Sequence, residues 1–312
     1  MRRVFSWIAL VVVLAIALPP LFYAVTGEPQ EDLPPADARY AVSGNVSVAA
    51  IERGRGPVAV LVHGLPGYSE DWGPTIDALA ARGFRVIAYS RAGYGRSDRR
   101  KNDDYTPDGS AADLLGLLSG EDLRNVTVVG WSYGGATAIR AAIRDDERIG
   151  RLVLVGSAGP WADAPPDSPI ISVLFSQPVL RWVAAVPPVA AAVRGALSRE
   201  AFAGEPIPEW WDAQLAANFA SPHTMDTFQR EAARFRFDDS LDPAPVRRPI
   251  LVIHGDQDRN VPLEVGRELA ARARDAELVV VEVGGHMLPV TRPDLLAERI
   301  ATFAARTGVR RR

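Results

Sequence analysis

From residue 40 onward the apolar positions of the chain fall into two alternating spacings. Runs such as "PVAVLVHG", "NVTVVG", "GRLVLVGSAG" and "PILVIHG" are almost uninterruptedly apolar, as expected of strands buried on both faces of a sheet. "NVSVAAIERG", "FRVIAYSRAG" and "AELVVVEVG" also have strand character. Between these runs lie "DWGPTIDALAARG", "SAADLLGLLSGED", "YGGATAIRAAIRDD", "LEVGRELAARARD" and, last, "PDLLAERIATFAAR", which carry apolar residues at helical spacing. Strands alternating with helices predict the α/β class, a mostly parallel sheet with helices on both faces. The rhythm breaks between residues 160 and 248. That stretch has no clear buried strand but four helical patterns, "ISVLFSQPVLRWVAAV", "PVAAAVRGALSREAF", "PEWWDAQLAANFA" and "TMDTFQREAARFRF". It is predicted to be a helical insertion.

The N-terminus follows neither spacing. Arg2 and Arg3 precede an apolar stretch from Val4 to Val25, and Glu28, Glu31 and Asp32 follow it. As a helix, that stretch would span about 33 Å, enough for a bilayer core of about 30 Å. The charge asymmetry predicts a single-pass anchor at the cell membrane with the bulk of the chain outside. The alternative is a signal peptide, cleaved near "AIA" at Ala15–Ala17, and a secreted product. "GEPQEDLPPADA" then reads as an exposed linker. The expected organisation is an anchor or signal over 1–26, a linker over 27–39, an α/β core over 40–159 and 249–308, and an insertion over 160–248.

Composition narrows the chemistry. The chain has no cysteine, which excludes a disulfide framework, a thiolate metal site and a cysteine nucleophile. A net charge of −3 over 312 residues gives no electrostatic case for nucleic acid. No metal site is expected.

Parallel strands expose their carboxyl ends along one edge, where ligands bind. Four such ends here are "HGLPG" (from His63), "WSYGG" (from Trp131), "HGDQD" (from His254) and "GGHMLP" (from Gly284). The second carries Gly130-x-Ser132-x-Gly134 between a strand and a helix. Taken alone, those glycines fit either a plain tight turn or a turn that lifts a serine nucleophile clear of the sheet. A serine nucleophile needs a base, and the base needs a group that fixes its tautomer. Of the four histidines, His286 follows the last strand and is the expected base. His63 and His254 read as loop-shaping residues, and His223 has a packing or solvent role. Asp258 is the expected orienting carboxylate, and Asp256 is expected to stabilise its own turn. Oxyanion stabilisation calls for backbone N–H donors. Tyr133, at the start of a helix, and Leu65, in "HGLPG", are the candidates.

With these pieces in this order, "HGLPGYSEDW", "SRAGYGRSD", "GWSYGG", "HGDQDRNVP" and "GGHMLP", the chain resembles the α/β-hydrolase fold superfamily in its lid-bearing serine hydrolase branch. The resemblance covers residues 40–307. It implies an eight-stranded sheet, a helical cap after the sixth strand and no cofactor. It makes "SRAGYGRSD" a structural loop after the fourth strand. Ser132 stands where family dehalogenases and epoxide hydrolases have aspartate. "HGLPG" and Met287 depart from the pattern of family C–C bond hydrolases. The expected function is cleavage of a small apolar carboxylic ester or related acyl compound through Ser132, His286 and Asp258. The aromatics of the insertion either line an apolar acyl site or pack the insertion onto the sheet. The alternatives are a proline-type aminopeptidase, with Glu205, Glu209 and Asp212 as amine-holding candidates, a cofactor-free perhydrolase or haloperoxidase-like enzyme, and a ligand-binding receptor that retains the fold.

Overall fold

The computed structural model describes Leu18 and residues 37–42, 46–100, 104–144, 147–161, 179, 182–183 and 185–306. Apart from Leu18, the apolar N-terminal stretch lies outside the described residues, as does most of "ISVLFSQPVLRWVAAV". Among the described residues no helix is long and apolar enough to cross a membrane.

Eight strands form one sheet in the order β1-β2-β4-β3-β5-β6-β7-β8. They are β1 (Ala38–Ala41), β2 (Ser47–Arg53), β3 (Val58–Val62), β4 (Arg85–Tyr89), β5 (Val126–Trp131), β6 (Ile149–Val155), β7 (Ile250–Gly255) and β8 (Ala276–Val281). β1 pairs antiparallel with β2, and β2 antiparallel with β4. Every later pairing is parallel. The sheet is the predicted one, with one strand more than the sequence patterning marks. That strand, β1, begins at Ala38, two residues inside the stretch read as linker. It is short and half exposed, so no apolar run announces it.

The helices are α1 (Gly73–Ala81), α2 (Pro107–Gly120), α3 (Tyr133–Arg144), α4 (Pro187–Ala201), α5 (Glu209–Ala220), α6 (Pro222–Arg234), α7 (Leu263–Arg272), α8 (Leu288–Thr291) and α9 (Pro293–Ala305). Residues alternate between the two sheet faces along each strand. Val60 and Val62 of β3, Val128 of β5 and Val252 of β7 face a core built with Leu114, Ile139 and Leu269 of α2, α3 and α7. Ala59, Leu61, Val129 and Ile253 face the other core, with Ile76, Leu79, Leu296 and Ile300 of α1 and α9. This double burial explains why the central strands read as continuous apolar runs. Truncating a fully buried leucine such as Leu61 would cost about 2–5 kcal/mol.

α4, α5 and α6 lie between β6 and β7 in sequence, where the strand rhythm breaks. Ala201 and Phe202 at the end of α4, and Trp211 of α5, join the second core beside Trp72, Trp131, Met287 and Leu288. The insertion is thus packed against the carboxyl-end edge of the sheet.

Candidate active site

The site is built on the turn after β5. Ser132 has φ +55°, a left-handed conformation that few residues with side chains adopt. Its amide donates to Val155 O at 3.0 Å, and its carbonyl accepts from Gly135 N at 2.9 Å and Ala158 N at 3.1 Å. These bonds hold the turn between the ends of β5 and β6. The flanking glycines answer to space. A Cβ on Gly134 would sit 2.1 Å from Val62 O, and one on Gly130 would sit 2.3 Å from Gly134 O. Only glycine lets α3 start this close to β3.

Asp258 and His286 meet across the ends of β7 and β8. His286 Nδ1 and Asp258 Oδ2 are 2.7 Å apart, and both residues are buried. The other carboxylate oxygen, Oδ1, accepts from the amides of Asn260 and Val261, each at 2.9 Å. Burial by itself would raise the Asp258 pKa. The charge and hydrogen bond of His286, together with His254 and the Val261 amide, outweigh it and hold the carboxyl below its usual range. Asp258 therefore faces His286 as a carboxylate, which fixes Nδ1 as the protonated nitrogen. His286 is held at its backbone too. Its amide donates to Ala201 O at 2.8 Å, the Met287 amide donates to the same oxygen at 3.2 Å, and Trp131 Nε1 donates to His286 O at 2.9 Å. Ser132 Oγ forms no hydrogen bond to His286 among the described residues. Such contacts are often long before substrate binds.

The neighbouring acid, Asp256, is exposed and accepts from the Gly284 amide at 3.3 Å, tying the β7 turn to the β8 turn. His254 donates from Nε2 to Val261 O at 2.8 Å and stays neutral, its pKa lowered chiefly by burial. His63 is completely buried. Its Nε2 accepts from the Arg91 amide at 2.8 Å, so its proton is on Nδ1, which donates to Gly64 O at 2.9 Å. Burial first, and the Arg91 charge second, keep it neutral. His223 opens α6, and burial pushes it down to about 4.

Of the two expected oxyanion donors, Tyr133 follows Ser132 directly in the chain and Leu65 follows Gly64, which packs against the serine. Neither the Leu65 nor the Tyr133 amide has a hydrogen-bond partner among the described residues. Tyr133 begins α3, whose N-terminal dipole favours negative charge. A Cβ on Gly64 would lie 3.1 Å from Ser132 Cβ, so the peptide leading to Leu65 lies against the serine.

Sequence reasoning missed two neighbours of this cluster. Gly156, at φ +46° after β6, lies under the pair, and a Cβ there would stand 3.1 Å from Asp258 Oδ2. Its only sequence signal was a glycine at a strand end in "VLVGSAG". Arg91 of "SRAGYGRSD" is fully buried and reaches both Gly64 O and Glu231. Glu231 lies far along the chain, and nothing local marks the pair. Among the described residues no group of three or more His, Asp or Glu could hold a metal ion.

Several of the insertion's aromatics pack inward. Phe202 and Trp211 contact each other with ring centroids 4.9 Å apart, and Phe235 packs on Tyr133 at 5.2 Å. Trp210 is exposed. Glu205 forms an ion pair with Arg292, whereas Glu209 and Asp212 are exposed on α5.

Comparison with known proteins agrees with this architecture. Residues 57–293 match the alpha/beta hydrolase fold family. A 2-hydroxy-6-oxo-6-(2'-aminophenyl)hexa-2,4-dienoic acid hydrolase of Metapseudomonas resinovorans is 27% identical over 274 residues, covering 86% of this chain and 91% of its own. A bromoperoxidase from Bacillus anthracis superposes with a TM-score of 0.71 at 25% identity, covering 85% of this chain and 98% of its own. An esterase from Exiguobacterium antarcticum has the same fold, with a TM-score of 0.72 at 20% identity and coverage of 86% of this chain and 98% of its own. The family match spans most of the sheet and the whole insertion, so the chain belongs to the alpha/beta hydrolase fold family and is one of its hydrolase enzymes.

Proposed function

We propose that the chain hydrolyses a carboxylic ester, or a related acyl compound, through an acyl-enzyme on Ser132. His286 takes the Ser132 proton as the hydroxyl attacks the acyl carbonyl, and then returns it to the leaving alcohol. Asp258 holds His286 in the required tautomer and stabilises its charged form. The Leu65 and Tyr133 amides receive the oxyanion. Water, deprotonated by His286, then releases the acid. The observation that carries this proposal is the buried His286–Asp258 hydrogen bond of 2.7 Å at the same sheet edge as the left-handed Ser132 turn.

The inserted helices, residues 160–248, act in this proposal as a cap. Phe202 and Trp211 lie beside Trp131 and Met287 in an apolar layer next to His286, which favours an apolar acyl or alcohol group. The aminopeptidase alternative needs free carboxylates near the cap. The engagement of Glu205 with Arg292 counts against it. Perhydrolysis uses the same acyl-enzyme with hydrogen peroxide replacing water, and the likeness to a bromoperoxidase supports keeping it as the second reading.

The test is a panel of p-nitrophenyl esters of increasing acyl length, with Ser132→Ala as control and a fluorophosphonate to label the serine. The expected result is turnover by the wild type, a label on Ser132, and a loss of several orders of magnitude in the variant. A folded Ser132→Ala variant with near-normal turnover would overturn the assignment. Absence of both labelling and turnover would favour a non-catalytic ligand-binding role. Peracid formation from acetate and peroxide tests the second reading.

We propose further that Val4–Val25 anchors the enzyme in the cell membrane with the catalytic domain outside. Protease added to intact cells should then remove the domain. A soluble product beginning near Leu18 or Gly27 would identify a cleaved signal instead.

A further inference from the structure

The Gly64 carbonyl receives two hydrogen bonds in the interior. Arg91 Nη2 donates at 2.8 Å and His63 Nδ1 at 2.9 Å. The Gly64–Leu65 peptide is trans, so the Leu65 N–H leaves on the side opposite that carbonyl. Anchoring the oxygen therefore fixes the direction of the amide that the proposed mechanism uses as an oxyanion donor. Rotating the amide away would leave one buried guanidinium N–H and one buried imidazole N–H without an acceptor. The anchor also acts electronically. A charged donor on the oxygen polarises the peptide and strengthens the N–H at its other end.

Arg91 is itself held by several groups through its two terminal nitrogens and its ring contacts. Its guanidinium pairs with Glu231 of α6, and both side chains are only 1% exposed. Tyr94 donates its hydroxyl to the other Glu231 oxygen at 2.7 Å. The guanidinium carbon lies 4.9 Å from the Tyr94 ring centre and 4.3 Å from that of Tyr133. The Arg91 main-chain amide fixes the His63 tautomer that supplies the second bond to Gly64. A surface arginine would have done for packing. A buried one costs several kcal/mol of desolvation and needs a specific reason to be there.

We propose that Arg91 is the positioning residue of the oxyanion hole: paired with Glu231 of the insertion, it clamps and polarises the Gly64–Leu65 peptide so that the Leu65 amide faces the reacting carbonyl. This rests on the Ser132 reading above. It assigns to "SRAGYGRSD" a part in the reaction beyond shaping a loop. It also makes the oxyanion hole dependent on a side chain from α6.

Removing Arg91 alone would leave Glu231 buried without its counter-charge. The test therefore uses Arg91→Met combined with Glu231→Gln, alongside Arg91→Lys alone. Four quantities are measured: kcat and KM for p-nitrophenyl acetate, the inhibition constant of phenylboronic acid, whose tetrahedral adduct places an oxygen in the oxyanion hole, and the midpoint of urea unfolding. The double variant should fold. Its kcat should fall by about tenfold to a hundredfold, less than the ~10²–10³ for deleting a donor outright. KM should stay within about twofold, and the boronate constant should rise in parallel with the loss in kcat. Arg91→Lys, which keeps the charge but not the fork geometry, should recover part of both.

A folded double variant with wild-type kcat and boronate affinity would overturn the proposal. So would a fall in kcat with unchanged boronate affinity, which would mean a disturbance outside the oxyanion hole. If the double variant does not fold, Arg91→Lys decides by the same two readouts. Fluorophosphonate labelling of wild-type Ser132 keeps the two readings apart. A wild type that labels and turns over while the variants match it sinks only the role of Arg91; one that does neither sinks both.

Discussion

Asp258 and Asp256 stand two residues apart in one turn, and exchanging each for asparagine separates their roles. Asp258 Oδ1 accepts two backbone amides and Oδ2 faces His286 Nδ1. In Asp258→Asn the amide oxygen can keep the two backbone bonds, so the turn survives. The NH2 group then faces His286 and donates where an acceptor stood. His286 must then present an unprotonated Nδ1 and carry its proton on Nε2, the nitrogen that the proposed mechanism needs free to accept the serine proton. In the serine protease template the same change of tautomer lowers kcat by about 10⁴, or about 5.5 kcal/mol at the barrier. A loss of that order is expected here. Asp256 instead makes one 3.3 Å bond to the Gly284 amide at the surface, and its asparagine variant can retain it. That change should move kcat by less than about twofold. The assay is kcat and KM on the best ester of the panel, with circular dichroism and urea unfolding to show that both variants are folded. Equal losses, a larger loss at Asp256, or an Asp258→Asn enzyme within tenfold of wild type would refute the reasoning.

Asp71 gives a prediction in pH. Burial pushes its carboxyl up to about 8, against the pull of the Tyr68 amide it accepts from. The folded pKa is raised, so the stabilising contribution is complete below the unfolded value near 4 and is lost as pH rises to about 8. Asp71→Asn should remove that dependence, at most about 1.4 kcal/mol per pH unit, so its advantage in urea unfolding should grow over this window; parallel stability curves would contradict it. Trp131→Phe deletes the indole N–H bonded to His286 O and opens space in the second core, so urea unfolding should show a loss of about 1–3 kcal/mol, and if about 1 kcal/mol of it is the holding of the imidazole kcat should fall about fivefold; unchanged turnover in the folded variant would show that the bond does not hold the imidazole. Gly134→Ala places a methyl 2.1 Å from Val62 O and should cost about 3 kcal/mol or more, whereas Gly73→Ala, with nothing within 4 Å, should be neutral or stabilising by up to about 1 kcal/mol; thermal unfolding that ranks them in the opposite order would show that the turn can yield.

Much of this architecture was legible in the chain because its causes are local. Val128, Val129 and the glycines at 130 and 134 state a strand, a turn and a close helix within a few residues. His286 and Asp258 were legible as polar groups at the ends of apolar runs. Asp256 is closer to the strand end and bonds the Gly284 amide, whereas Asp258, two residues on, is the one that the geometry pairs with His286. What escaped the sequence depends on distance along the chain or on weak patterning. β1 is too short and too exposed to show a period. α8 follows His286 within two residues and reads as loop because Pro289 and its four-residue length hide it. Arg91 and Glu231 are joined across 140 positions, and neither local context distinguishes a buried charge from a solvated one.

The bonds from His286 and Met287 to the Ala201 carbonyl have a mechanical consequence. Ser132 is moored to the sheet through Val155 and Ala158, which are parts of the rigid scaffold. The imidazole-bearing loop is moored in addition to the last turn of α4. The serine and the imidazole of the proposed mechanism are thus held from different parts of the fold, one from the sheet and the other partly from the end of α4. A substitution that shifts the end of α4 is expected to move the backbone of His286 and not that of Ser132. In the proposed mechanism, turnover is therefore open to adjustment through α4, by residues that need not meet the substrate.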